Sequence, residues 1–155
     1  MTDNSFLKQY VKIGRAQAIV FAALTQAQEL QHWFPSRAES DPRVGGQIKL
    51  TFEFAQASQN GTLNEKFLEV VPNEKVSYTW GAGPTAIPTI VTFFLKEDGG
   101  VTTLELDHSK VQPDTDKAML NEWHANNWTF YLTNLKGYLE KGTDQRKNML
   151  HQVTA

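Results

Sequence analysis

The chain has 155 residues, 40% of them apolar, with 15 Lys and Arg against 17 Asp and Glu and no cysteine. That is enough for one domain burying roughly 70% of its unfolded surface without disulfides, and the lack of cysteine fits a reducing compartment. The formal charge of −2 gives no electrostatic footprint for nucleic acid or an anionic membrane.

Residues 6–13 alternate loosely between apolar and polar and predict a strand. AQAIVFAALTQAQELQHWF then predicts helix, with Ile19, Ala22, Ala23 and Leu30 at helical spacing in a composition rich in good helix formers. Thr25 can cap a second short helix, with Glu29 near its first turn. Pro35 ends that helix, because proline pushes the preceding residue out of the α region. A polar loop follows. From Gly45 the period changes to two, with Ile48, Leu50, Phe52 and Phe54 on one face and Lys49, Thr51 and Glu53 on the other.

Asn60-Gly61 is a hairpin signal. The next strand places Leu63, Glu65, Phe67 and Val71 on one parity, and Pro72-Asn73-Glu74 turns the chain. KVSYTW groups Val76, Tyr78 and Trp80. GAGPTAIP is a loop, Val91, Phe93 and Leu95 alternate, Asp98-Gly99-Gly100 turns, and Leu104, Leu106 and His108 alternate in the last strand. Short strands joined by tight turns predict an antiparallel meander with one buried face. Asp114 or Thr115 can cap a closing helix that ends near Lys141 at Gly142. His124, Trp128, Tyr131, Leu132, Leu135 and Leu139 fall on one stripe of it. At about 27 residues it would be some 40 Å long, which matches the width of a multi-strand sheet. The last residues, 143–155, are polar and read as a frayed tail or a short extra turn.

Several stretches, in order, carry a family resemblance: Ala22-Ala23-Leu24-Thr25, Glu29-Leu30, Trp33-Phe34, Asp41-Pro42-Arg43-Val44-Gly45-Gly46, Leu68-Glu69-Val70-Val71-Pro72 and Val76-Ser77-Tyr78-Thr79-Trp80. Val91-Thr92-Phe93, Thr103-Leu104-Glu105-Leu106 with His108-Ser109, and Trp128 with Leu132, Leu135-Lys136 and Tyr138-Leu139-Glu140 complete the set. With these the chain resembles the bacterial homologues of the activator of Hsp90 ATPase, within the START-like, or helix-grip (SRPBCC), superfamily. The resemblance implies an α+β fold: a curved antiparallel sheet of about seven strands around a long C-terminal helix, with two short helices between strands 1 and 2. It also implies a cavity between sheet and helix that takes apolar or aromatic small molecules. Glu65 and Asn127 stand where the family often has glycine, adding volume and polarity near that cavity.

The aromatic set is the main functional signal. Trp33, Phe52, Phe67, Tyr78, Trp80, Phe93, Trp128 and Tyr131 share inward parities or stripes, and Phe34 and Leu132 join them as expected lining. An ordinary packed core would use the same residues. His108 and His124 are the polar members and can reach a ligand's hydroxyl or carbonyl. The plainer readings are a hydrogen-bonded core residue for His108 and a solvated one at the cavity mouth for His124. Glu65 shares parity with Leu63 and Phe67. Buried, it would be a perturbed carboxylate and a candidate base; the preferred reading is a bulge near Asn60-Gly61, or a strand end, that leaves it in solvent. Trp123 and Phe130, on the flank of the last helix, are expected to pack under the first helix pair in preference to forming a subunit contact.

No HExxH, GxSxG or phosphate-loop pattern occurs, and no close His pair stands with a carboxylate, so neither a metal nor a cofactor is expected. MTDNSFLKQY lacks the regions of a secretion signal, and no apolar run nears the ~20 residues that span a bilayer. The expectation is a cytoplasmic monomer or weak homodimer that binds a small hydrophobic molecule, with no nucleic-acid or membrane partner. A cyclase- or hydrolase-type enzyme using Glu65, Tyr78, His108 and His124 is the alternative, and a chaperone-associated role ranks third.

Overall fold

The computed structural model describes residues 4–53, 60–82, 87–112 and 115–146. The elements run β1 (Ser5–Ile13), α1 (Gln17–Thr25), α2 (Ala27–Leu30), β2 (Arg37–Ser40), β3 (Gln47–Phe52), β4 (Gly61–Val71), β5 (Lys75–Trp80), β6 (Thr89–Asp98), β7 (Val101–Lys110) and α3 (Lys117–Lys141). All seven strands join one curved antiparallel sheet in the order β1-β7-β6-β5-β4-β3-β2. Strands 2 to 7 form a meander, and β1 closes it by pairing with β7. This is the expected helix-grip, α+β architecture. No helix among the described residues is long and apolar enough to cross a membrane.

Period-two alternation puts Ile48 and Leu50, then Val76, Tyr78 and Trp80, Val91, Phe93 and Leu95, and Leu104, Leu106 and His108 on the buried face. Left-handed residues at the tight turns, Asn73 with φ 67° and Gly99 and Gly100 with φ 60° and 82°, let the strands reverse within a few residues. The third turn works differently. Phe52 pairs with Gly61, so Asn60-Gly61 closes a longer connection instead of forming a two-residue hairpin. Residues 54–59 of that connection, Phe54 included, lie outside the described residues, as do 83–86, 113–114 and 147–155.

Other expectations need correction. Residues 37–40, read as loop, form β2; four residues with no apolar run carry no local strand signal, and pairing with β3 decides the matter. The buried face of α1 is Val20, Ala23 and Leu24, one position from the expected stripe, so Ile19 is exposed. Thr25 caps nothing: it ends α1, and its hydroxyl donates to Phe21 O. A bulge sits between Phe67 and Glu69, switching the strand's parity so that Val70 packs on the core and Val71 is exposed.

Asp116, not Asp114 or Thr115, caps α3, accepting from the backbone N–H groups of Ala118 and Met119. Gly142, with φ 70°, ends it as expected. The helix runs along a strand, not across the sheet's width. Asn121 donates to Phe6 O, Gln9 to Ala125 O, Lys136 to Lys12 O, and Gly14 N to Glu140. From Asn121 to Glu140 the helix rises about 28 Å, and from Phe6 to Gly14 the strand advances about 27 Å. α3 thus runs alongside β1 and covers that sheet edge. The β2 edge is short and is held to the helix pair by Ala38 N to Gln31 and Ser40 to Thr25 O.

Candidate functional site

Aromatic rings pack the interior between the sheet and α3, and Phe34 is their hub. Its ring lies 5.0 Å from Trp33, 5.4 Å from Phe52, 5.9 Å from Trp80, 5.5 Å from Trp128 and 4.8 Å from Tyr131, centroid to centroid. It stacks within 10° of the Trp80 plane and meets Tyr131 edge-on. Phe67, Tyr78 and Phe93 extend the wall along β4, β5 and β6 at spacings of 6.0 and 6.2 Å. Leu132 is buried on the same stripe of α3, and Phe52, at the strand end, is half-buried.

Distant residues hold the Trp33-Phe34-Pro35 segment in place. The Trp33 indole donates to Ala23 O, Asn134 of α3 donates to Trp33 O, and Arg146 donates to Pro35 O. Asn134 also binds Asp144 and Gln145, and Arg146 pairs with Asp144 at 2.7 Å. Residues 144–146 therefore form a strap over the segment and are not frayed. Against a burial that would raise it, hydrogen bonds from Arg146 and Asn134 hold the Asp144 carboxyl below its ordinary range. Sequence reasoning missed Asn134 and Arg146. The only signal was a polar residue at the edge of an apolar helical stripe.

His108 is fully buried and uses both ring nitrogens. Trp128 Nε1 donates to its Nδ1 at 3.1 Å, so Nδ1 carries no proton. Nε2 then carries it and donates to Thr89 Oγ1 at 2.6 Å, and the Thr89 hydroxyl donates to Trp80 O at 3.3 Å. Burial, then the neighbouring His124, keeps His108 well below its ordinary pKa, hence neutral. The His124 ring lies 4.3 Å from it, tilted by 52°, and is itself pushed down to about 4 by burial. His124 is buried, not solvated at a mouth. Among the described residues neither its Nε2 nor the buried Trp80 Nε1 has a hydrogen-bond partner.

Glu65 points inward at 9% exposure, because the bulge that was to expose it lies further along, beyond Phe67. Its carboxylate accepts from Thr79 Oγ1 at 2.7 Å and from Gly81 N at 2.9 Å. Gly81 permits this approach, since a Cβ there would stand 2.9 Å from Glu65 Oε2. Tyr78 is pushed far up by burial and by the Glu65 charge, and Tyr131 is raised by burial. Trp123 does not pack under the first helix pair: it is 45% exposed and touches the edge of His124. Phe130 is half-buried beside Tyr131. Among the described residues no three His, Asp or Glu side chains group as metal ligands.

A family model described as "Activator of Hsp90 ATPase homolog 1-like protein" matches residues 16–140. No curated protein sequence matches the chain. Among solved structures, the Aha1 dimer from Colwellia psychrerythraea is 24% identical with a TM-score of 0.67, covering 88% of this chain and 97% of its own. CalU16 from Micromonospora echinospora is 20% identical with a TM-score of 0.69, covering 94% and 81%. DynU16, from the dynemicin biosynthetic locus, is 20% identical with a TM-score of 0.72, covering 92% of this chain and 49% of its own.

Proposed function

Since the chain belongs to the activator of Hsp90 ATPase homolog 1-like family, we propose that it binds a small apolar or aromatic molecule between its sheet and its C-terminal helix. One observation carries this reading: two polar atoms among aromatic rings, Trp80 Nε1 and His124 Nε2, are buried with no partner among the described residues. Buried polar groups ordinarily find partners, so a guest that supplies them gains binding energy there. The similar DynU16 belongs to a biosynthetic locus, which supports a small-molecule guest. The two histidines and Glu65 do not converge into an acid–base pair. His108 has both nitrogens engaged, and the Glu65 oxygens are taken by Thr79 and Gly81. Binding is therefore favoured over catalysis. Of the two expected states, monomer or weak homodimer, the dimer described for the Colwellia protein supports the second.

A thermal-shift screen with tryptophan fluorescence tests this. Planar aromatic ketones, phenols and fused-ring hydrocarbons are the probes. A ligand at 100 times its dissociation constant stabilises by about 2.7 kcal/mol, and one seated against Trp80 and Trp128 changes their emission. A library in which no aromatic compound shifts either signal overturns the reading.

A further inference from the structure

The end of β5 holds a buried indole donor in a fixed setting. The β4–β5 ladder starts at Phe67↔Tyr78. Towards the loop, side chains take over from it. Lys66 N donates to Thr79 Oγ1 at 3.1 Å, and the Glu65 carboxylate receives Thr79 Oγ1 and Gly81 N. The residues on both sides of Trp80 are thereby tied to one carboxylate. Rings at 5.2 Å (Trp128), 5.9 Å (Phe34) and 6.3 Å (Tyr78) hold the Trp80 indole itself. So an indole packed among rings offers an N–H that no described residue receives. An indole nitrogen donates only, so its partner must be an acceptor.

We propose that the interior selects an aromatic guest bearing an uncharged oxygen acceptor, a ketone, ester or ether, which receives the N–H of Trp80, and that Glu65 is the residue positioning this donor. The proposal rests on the small-molecule reading above and narrows it. A hydrocarbon of equal shape leaves the donor unpaired. A carboxylate brings its charge towards Glu65, and like charges in a poorly hydrated interior repel.

Three isosteric probes separate the outcomes: 2-acetylnaphthalene, 2-isopropenylnaphthalene and 2-naphthoate, titrated against tryptophan fluorescence. The alkene is the more hydrophobic of the neutral pair, so burial alone favours it. The expected result is that the ketone binds about fivefold tighter or more than the alkene, as one additional hydrogen bond gives, and tighter than the naphthoate. In Trp80→Phe the ketone's advantage disappears while the alkene still binds. The indole 15N–1H resonance of Trp80 moves downfield with the ketone alone; this readout needs only the wild-type chain if the variant does not fold. Equal binding of ketone and alkene, or tighter binding of naphthoate, overturns the acceptor assignment and leaves the small-molecule reading standing. Failure of all three probes, together with a silent screen, overturns both.

Discussion

His108 accepts a hydrogen bond from Trp128 of α3 and donates one to Thr89 of β6, whose hydroxyl donates to Trp80 O on β5. A charged imidazole at that place would lose its bond from Trp128 and stand in a dry interior. His124, tilted against it at 4.3 Å, is pushed down to about 4 by burial. The unfolded chain's histidines have an ordinary pKa of about 6.5. Between about pH 6.5 and 4 the unfolded chain therefore binds more protons than the folded one, and stability rises with pH through that window and levels off above it. The depressed Asp144 carboxyl acts only at lower pH. Urea midpoints are expected to fall progressively from pH 7 to 4.5, and His124→Gln to flatten the fall. An unchanged slope in the variant would remove His124 from the account. The sequence showed both histidines on inward positions. It did not show that one has all its partners and the other lacks one, because those partners lie on other elements.

The loop Asp41–Gly46 belongs to the quoted family pattern, and its role is to dock β4 at its bulge. Gly45 N donates to Phe67 O, and Phe67 N donates to Gly46 O. A Cβ on Gly46 would stand 2.0 Å from Asp41 O and 3.0 Å from Arg43 O, backbone atoms that cannot swing aside. Gly45 has open space around it and a φ of 83°. Gly46→Ala is thus expected to destabilise by at least about 2 kcal/mol through steric strain, and Gly45→Ala by about 1 kcal/mol through its backbone conformation alone. Equal urea midpoints for the two variants would contradict this docking. The glycine pair was plain in the sequence. The bulge it serves was not, since a one-residue register shift has no compositional signature.

At the scale of the molecule, Trp128 joins three layers. Its ring touches Phe34 below the strap, Trp80 and Phe93 on the sheet, and His108 through its N–H. Trp128→Ala is expected to cost roughly 3–5 kcal/mol, measured by equilibrium unfolding. A loss under about 1 kcal/mol would mean that the helix does not face the sheet through this residue. All six residues of the expected α3 stripe are buried, because an amphipathic face is written locally at helical spacing. The direction of α3 along β1 was not legible, since helix length alone fits either a strand or a sheet.

Alternation of apolar side chains, the turn residues and the apolar stripe of α3 determined every strand but β2 and most of the inward faces from the chain itself, and the helix-grip plan came with the family resemblance. Only the tertiary structure decided which inward polar groups are satisfied. Glu65 finds its partners at the end of β5 and just beyond it, and His108 finds its own on β6 and α3, whereas Trp80 and His124 each keep an atom with no partner among the described residues. Periodicity is set within a few neighbouring residues. A hydrogen bond between groups far apart in sequence depends on register, bulges and crossing geometry to within a fraction of an ångström, and these arise only when the layers close on one another.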